Sequence, residues 1–491
     1  MLLSTLLLVP MCVAIACLVV RPYWLLETLN ILAAGIALTL GIGLAFQVLE
    51  HGTVEEWNSF LYADALSAWM VLLISVVSLA SSIYSVGYFR KELASGAATP
   101  GKFREFYVLT PTFIFAMFFV VLANNLGVMW IFLEGTALVS VFLVALNNQK
   151  TSLEAAWKYI MLGSVGLVLG LFGTILTYAS AVDAGLETMS GLNWSHLMSV
   201  ADRFNPNIIK LAFIFVLVGY GTKAGIAPMH TWLPDAHSEA PTPTSAMLSG
   251  VYLKVALYGL IRFHTLTTQC VGTDFSQTLL LNFGLVSMCV AAPFILVQTN
   301  LKRLFAYSSV EHIGVICVGL GLNVPLAVFG ALLHMGYHAL IKPVLFFSAG
   351  DVQQKYHTLD MPQLGSGLLK SMPVTAVLLT LGIIAATGTP PFGLFLSEFT
   401  VLAGAITTGH VLICALFLTA LVTVFSGFMI HTSRLVFGSP PIETDDNRAS
   451  CGGSRVAMGF LIGMLVLFSF WLPASLISLI RKAAEVVGGG S

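Results

Sequence analysis

Residues 221–254 read GTKAGIAPMHTWLPDAHSEAPTPTSAMLSGVYLK, and they decide the fold. The stretch begins in an apolar helix at Lys223. Pro228, Pro234, Pro241 and Pro243 then interrupt the backbone, and an apolar run resumes that carries Lys254. Proline removes a backbone donor and breaks a helix. Two lysines and freed backbone groups at membrane depth are tolerated only against protein or a water-filled cavity. A purely structural helix has no use for them.

The chain around this stretch is apolar. Of its 491 residues 57% are hydrophobic and 9% charged, with a mean hydropathy of +0.91. A soluble domain carries roughly 25% charged residues, so the composition predicts an all-α polytopic membrane protein. The net charge of −1 implies no nucleic-acid partner; the partner it does imply is the lipid bilayer. The seven cysteines are scattered through apolar runs, with Cys12 and Cys17 the closest pair. No C-x-x-C spacing supports a zinc or iron–sulfur site. The first twenty residues lack a basic leader and read as a first span, not a cleaved signal. The terminal GGGS (488–491) contributes nothing to the reading.

About 20 apolar residues cross a bilayer as helix. That measure gives fourteen spans, at 2–20, 24–48, 60–86, 106–122, 126–146, 156–178, 208–229, 243–263, 277–298, 305–321, 325–349, 373–404, 409–433 and 456–480. The seventh is broken at APMHTWLP and the twelfth at TGTPPFG. Each break adjoins an ionisable residue, Lys223 and Glu398, and the two spans run in opposite directions. Paired broken helices point to inverted repeats with a site near the midplane. Thirteen of the 22 Lys and Arg residues fall in loops on one side, five on the other and four within or at the ends of spans. By the positive-inside rule the richer side is cytoplasmic and both termini face outward. The outer loop 181–207 (Asp183, Glu187, Trp194) reads as a folded excursion, and the inner loop 435–455 as a solvated linker.

Each ionisable residue inside a span needs an account, since a central charge costs on the order of 3 kcal/mol on insertion scales. Glu134, in MWIFLEGTALVSVFLV, reads as a proton acceptor or a lysine's partner, or else as a protonated, hydrogen-bonded carboxyl. Lys223, Lys254 and Glu398 read in the same way as proton carriers. His334, His338 and Lys342, spaced i, i+4, i+8, share one helical face and suggest a relay of residues titrating near neutrality. Two histidines at i, i+4 also suit zinc, but no acidic or cysteine ligand adjoins them in sequence, so no metal is assigned. His230, His237 and Asp235 (with Glu239) flank the first break and read as a proton-uptake path or a structural turn. Glu154 and Lys158 form an i, i+4 pair in the favourable order. Glu27, Asp64 and Glu311 lie near span ends, where end effects account for them. With no phosphate loop, nucleotide fingerprint or nucleophile triad, the remaining chemistry is ion movement.

The stretches NNLGVMWIFLEGTAL, KAGIAPMHTWLPDAHSEAPTPTSAMLSG, LKRLFAYSSVEHIG, HALIKPVLFF and GTPPFGLFLSEF resemble the antiporter-like subunits of respiratory complex I, Mrp-type cation/proton antiporters and membrane-bound nickel–iron hydrogenases. PDAHSEAPTPTSAMLSG and SLEAAWKYI most resemble the component F group of hydrogenase-4 and formate hydrogenlyase. The resemblance covers roughly residues 60–440. It implies fourteen helices with two inverted five-helix repeats: helices 1–3 over 1–105, the first repeat over 106–264, the second over 265–434, and an inner loop and last helix over 435–491. It also implies that Glu134 pairs with Lys223, that Lys254, His334, His338 and Lys342 form a hydrated axis, and that Glu398 ends it. Members vary at the positions of Lys254 and Glu398. The chain stops after span fourteen without the long lateral helix of the largest complex I member, which argues against that distal subunit. The expected function is proton translocation as the non-redox subunit of a hydrogenase or NADH dehydrogenase-like complex in a prokaryotic plasma membrane. No cofactor is expected in this chain; iron–sulfur and nickel–iron centres belong to soluble partners, alongside other antiporter-like subunits. An Mrp-type antiporter without a redox partner and a non-pumping anchor are the alternatives.

Overall fold

A computed structural model describes residues 1–186, 191–438 and 452–488. Residues 187–190 with Glu187, 439–451 with Arg448 and Cys451, and 489–491 lie outside the described residues. The first helices are α1 (Leu2–Val19), α2 (Tyr23–His51), α3 (Ala65–Ala94), α4 (Pro100–Leu122), α5 (Leu126–Ala145) and α6 (Lys150–Asp183). A hairpin of β1 (Val54–Glu56) and β2 (Leu61–Ala63) joins α2 to α3, pairing Glu55 with Tyr62. Next come α7 (Trp194–Ser199), α8 (Pro206–Ala224), α9 (Trp232–Glu239), α10 (Thr242–Met247), α11 (Leu253–Val271), α12 (Asp274–Val297), α13 (Leu301–Leu322) and α14 (Pro325–Tyr356). The chain closes with α15 (Met361–Leu364), α16 (Leu368–Ser371), α17 (Pro373–Ala386), α18 (Gly393–Thr407), α19 (Val411–Val436), α20 (Gly452–Phe470) and α21 (Ala474–Val487).

Among the described residues thirteen helices are long and apolar enough to cross a membrane, α10 and α11 counting as one. The shorter apolar helices α17 and α18 flank residues 387–392 and together make the broken twelfth span. Fourteen crossings result, as the hydropathy predicts. Polar caps set many of their starts. Asp64 accepts from the Ser67 amide (2.9 Å), Asn125 from those of Gly127 and Val128, and Asn300 from that of Arg303. Each satisfies a helix-terminal donor that has no partner within its own helix.

The seventh span departs from its expected extent. α8 stops at Ala224 because Gly225 turns left-handed (φ +77°), and α9 forms a separate short helix beyond the turn. The last span departs further. α20 ends at Phe470, and after Leu472-Pro473 the chain starts α21, which buries Leu479, Ile480, Ala483 and Val487 and exposes much of its other face. Hydropathy merged the two, because α21's apolar face extends the run across the proline. Lys482 of α21 donates to the Leu49 carbonyl near the end of α2 (2.8 Å). The 181–207 excursion is folded where described: the Trp194 amide bonds the Asn124 carbonyl (2.7 Å) and the Leu126 amide the Leu192 carbonyl (2.9 Å).

Burial sorts the helices. The most apolar windows of α10–α11 and α13 are 100% buried and that of α14 is 94%, against 28% for α1 and α20. The helices carrying Lys254, His334, His338 and Lys342 therefore form the centre of the bundle. Outer helices such as α6 present Trp157, Val165, Val168 and Ile175 outward, the apolar coat that lipid requires.

Candidate functional site

Lys223 occupies the last turn of α8 and is fully buried. A helix C-terminus carries partial negative charge that favours a cation. Its Nζ lies 3.8 Å from Glu134 Oε2 on α5 and 5.2 Å from the Tyr159 ring centroid on α6, without a hydrogen-bond partner within the protein among the described residues. Glu134 accepts instead from Ser164 Oγ at 2.7 Å. The lysine reaches this point because α6 is glycine at the crossing: a Cβ on Gly163 would sit 2.6 Å from Nζ. The pair is thus within ion-pair distance without a direct hydrogen bond.

From here a polar thread runs inward. Ser140 Oγ, Tyr159 OH and Tyr252 OH follow one another at 2.7 Å each. Tyr252 closes a π-helical turn, Leu248–Tyr252, between α10 and α11. A π turn loosens the regular carbonyl pairing, and Lys254 takes up the Ser249 carbonyl (3.2 Å) and the Gly250 carbonyl as acceptors. Its third contact is His338 Nδ1 of α14, at 2.6 Å.

Beyond Lys254 the site is a cluster of imidazoles. The His338 ring lies 4.8 Å from that of His312 on α13; His312 Nδ1 meets His334 Nε2 at 3.1 Å; His334 Nδ1 meets Ser397 Oγ of α18 at 2.9 Å. Glu398 follows Ser397, is 5% exposed, and borders a cavity of about 310 Å³ between the α17–α18 break and α19. Lys342 lies on the same α14 face one turn beyond His338 and donates to the Phe305 carbonyl (2.9 Å) and to Ser308 Oγ. Each break in the file contains a cis bond, Ala227–Pro228 and Pro390–Pro391.

The seven residues singled out in the sequence fall in two groups, Glu134 with Lys223, and Lys254, His334, His338 and Glu398 with Lys342 on the same α14 face. The tyrosine pair lies beside the first group, and no hydrogen bond joins it to Lys254 among the described residues. The three uptake candidates behave differently. Asp235 is committed to Lys158 (3.2 Å) and Arg303 (2.9 Å), an ion-pair network beside the first break. His237 Nδ1 contacts the Leu233 carbonyl (2.8 Å), and His230 is 6% exposed beside Tyr307. None of the three contacts Glu134 or Lys223 by hydrogen bond among the described residues. The Glu154–Lys158 pair is present at 2.7 Å, and Lys158 also bonds Asp235.

Sequence reasoning missed Glu311 and His312. Glu311 is not an end-of-span residue: α13 starts at Leu301, which places it mid-helix, fully buried, 3.3 Å from His312. The signal was the pair of adjacent ionisable residues in an otherwise apolar run, AYSSVEHIGVICVG. Asp64, expected to be explained by its place near a span end, has a partner in Arg262, which the sequence reading did not single out. They form a buried bidentate pair (2.6 and 2.9 Å), with the guanidinium 4.8 Å from the rings of Trp194 and Tyr258. Glu27 pairs with Arg90 (2.5 Å), as an end-of-span carboxylate can.

Residues 123–424 match the family model described as NADH:quinone oxidoreductase/Mrp antiporter, TM, and residues 57–95 match that of the N-terminus of NADH-ubiquinone oxidoreductase (complex I) chain 5. The hydrogenase-4 component F homolog of Methylacidiphilum infernorum is 38% identical over 383 residues, 78% of this chain and 80% of that protein. NADH-quinone oxidoreductase subunit N of Desulforudis audaxviator is 27% identical over 91% of this chain and 87% of that protein. Among solved structures, a chain of an archaeal membrane-bound sulfane sulfur reductase superposes with a TM-score of 0.85 at 23% identity, covering 99% of this chain and 96% of that one. A chain of the Mrp complex from Dietzia sp. gives a TM-score of 0.85 at 18% identity, covering 99% and 97%.

Proposed function

The chain belongs to the NADH:quinone oxidoreductase/Mrp antiporter transmembrane family, and from that premise we propose that it translocates protons as the membrane subunit of a hydrogenase-type redox complex. It is an antiporter-like membrane subunit; what is proposed is the path and the coupling. The observation that carries the proposal is the run of contacts Lys254–His338–His312–His334–Ser397, which joins the eighth span to the twelfth through side chains that bind and release protons.

In this account Glu134 and Lys223 are the switch. Unit charges about 4 Å apart attract by about 4 kcal/mol at an effective dielectric near 20, so a small change in their separation alters how strongly Lys223 holds its proton. A proton released there passes by Tyr159 and Tyr252 to Lys254, through the imidazoles, and to Glu398 at the lateral cavity. Lys342 sets the potential of the imidazole cluster. His230, His237 and Asp235 serve the inner uptake side, with Asp235 acting through its ion pairs. The repeats divide at 106–264 and 265–434, after helices 1–3 over residues 1–105 and before the inner loop and last helix over 435–491. The setting is a prokaryotic plasma membrane with both termini outward, other antiporter-like subunits as neighbours, and soluble partners that hold the iron–sulfur and nickel–iron centres.

Lys223→Ala or Glu134→Ala should abolish proton translocation in the reconstituted complex while electron transfer by the soluble subunits persists. Full pumping with either residue neutralised would sink the assignment. An Mrp-type antiporter role is the second reading, favoured by the shared fold; co-purification of the chain without any redox protein would select it. Loss of activity only on disassembly, with point variants silent, would select a non-pumping anchor.

A further inference from the structure

The i, i+4 spacing of His334 and His338 suggests a metal pair but offers no third ligand in sequence. The fold builds a different set, in which His338 has no part and two ligands come from other helices. One nitrogen each from His312 (α13) and His334 (α14) and a carboxylate oxygen of Glu398 (α18) lie within 4.8 Å of one another, all in buried residues. We infer that these three residues form a binding site for a zinc-class divalent cation.

The donor set is two neutral imidazoles and a carboxylate, which suits zinc in a site that keeps one position open. Zinc bonds to such ligands are about 2.0–2.1 Å, so tetrahedral ligands sit about 3.4 Å apart. His312 Nδ1 and His334 Nε2, at 3.1 Å, need to open only slightly for the ion to replace the proton between them. Glu398 Oε1 has no hydrogen-bond partner within the protein among the described residues and is free to ligate. The other His334 nitrogen is held by Ser397 Oγ at 2.9 Å, the outer hydrogen bond that fixes the orientation of a metal-bound imidazole.

Charge favours the same place. A dication among uncharged imidazoles at membrane depth needs two negative charges nearby, since an uncompensated buried charge is strongly unfavourable. Glu398 provides one. Glu311 provides the other: its Oε2 lies 3.3 Å from His312 Nδ1, and neither of its oxygens has a hydrogen-bond partner within the protein among the described residues. Lys342 interacts with Glu311 electrostatically, so its ammonium and the ion compete for that carboxylate. Access runs through the lateral cavity of about 310 Å³ that Glu398 borders together with Thr387 and Thr389.

The consequence for activity rests on the relay proposed above. An ion bound here occupies both nitrogens through which His312 and His334 would pass a proton, so it stops translocation between Lys254 and Glu398.

The test titrates Zn²⁺ into the purified full-length chain carrying no polyhistidine tag. X-ray absorption at the zinc edge then reads the coordination. The expected result is one tightly bound ion per chain with two imidazole nitrogens and carboxylate oxygen in its shell. His334→Gln and Glu398→Gln should remove that ion. Ser397→Ala should weaken it by about 10–100-fold. His264→Gln should leave it in place, since His264 bonds Ser276 outside the cluster (2.9 Å). Thermal unfolding of each variant separates loss of the site from loss of the fold. No stoichiometric ion in the wild-type chain, or an ion whose shell is unchanged in both His334→Gln and Glu398→Gln, overturns the inference. Pumping by the reconstituted complex is measured separately with and without Zn²⁺. A bound ion of the expected shell with undiminished pumping upholds the site and overturns the relay through it. Absent binding, with pumping that still needs Glu134 and Lys223, overturns the site alone.

Discussion

Arg262 shows what a buried charge demands of its neighbours. Its guanidinium is 2% exposed and meets Asp64 in a bidentate pair, with Ser67 Oγ and Tyr258 OH filling further donors at 3.0 and 2.9 Å. Removing one partner of a buried pair costs about 3–5 kcal/mol, because the other charge is left uncompensated. Asp64→Asn should therefore lower the thermal stability of the purified chain by that order, and Asp64→Asn with Arg262→Met should recover part of the loss. An unchanged melting temperature in Asp64→Asn would show the pair to be dispensable. The sequence made individual buried ionisable residues legible because such a side chain in an apolar run stands out: Glu134, Lys223, Lys254, His334, His338, Lys342 and Glu398 were all singled out that way. Arg262, Asp64 and Glu311 were not, because each lies inside an expected span at a place where an end effect gave a sufficient account, and the partners of Arg262 and Asp64 come from distant segments of the chain. The contacts themselves were also beyond reach. His312 touches His334 across two helices, and spacing within one helix carries no information about its neighbours.

At the scale of the element, the close crossing of α6 and α8 sets the geometry of the switch. α6 presents Gly163, Gly166, Gly170 and Gly173 to α8, and α8 answers with Gly219. Small residues let two membrane helices approach backbone to backbone. A Cβ on Gly219 would lie 2.5 Å from the Gly170 amide nitrogen and 2.6 Å from the Gly166 carbonyl oxygen, both rigid backbone atoms. Gly219→Ala should force the helices apart, at a cost of about 1–3 kcal/mol typical of overpacking, read as a fall in unfolding temperature. Because Lys223 follows one turn later, the same variant should also impair proton translocation. Wild-type stability would mean that the crossing has slack. The two broken spans were legible, since proline and glycine in an apolar run have few other meanings. The split between α20 and α21 was not: Trp471-Leu472-Pro473 is apolar enough to hide a helix end.

Over the whole molecule, the helices that carry Lys254, the imidazoles and Lys342 are the most deeply enclosed. α10–α11, α13 and α14 form the enclosed centre, and α1, α2, α6 and α20 are among the helices that screen it. That arrangement keeps a file of lysines, imidazoles and carboxylates inside a bilayer without exposing a charge to hydrocarbon. The fold class and the number of crossings could be read from hydropathy, but the order of the file could not. The order depends on which face of α14 meets α13 and α18. Lys254 is the decisive member, since it touches His338 of α14 and the carbonyls that the π turn frees. The most direct measurement is the number of protons translocated per electron pair by the reconstituted complex carrying Lys254→Met. A continuous file predicts that this number collapses while electron transfer continues. An unchanged ratio would contradict it.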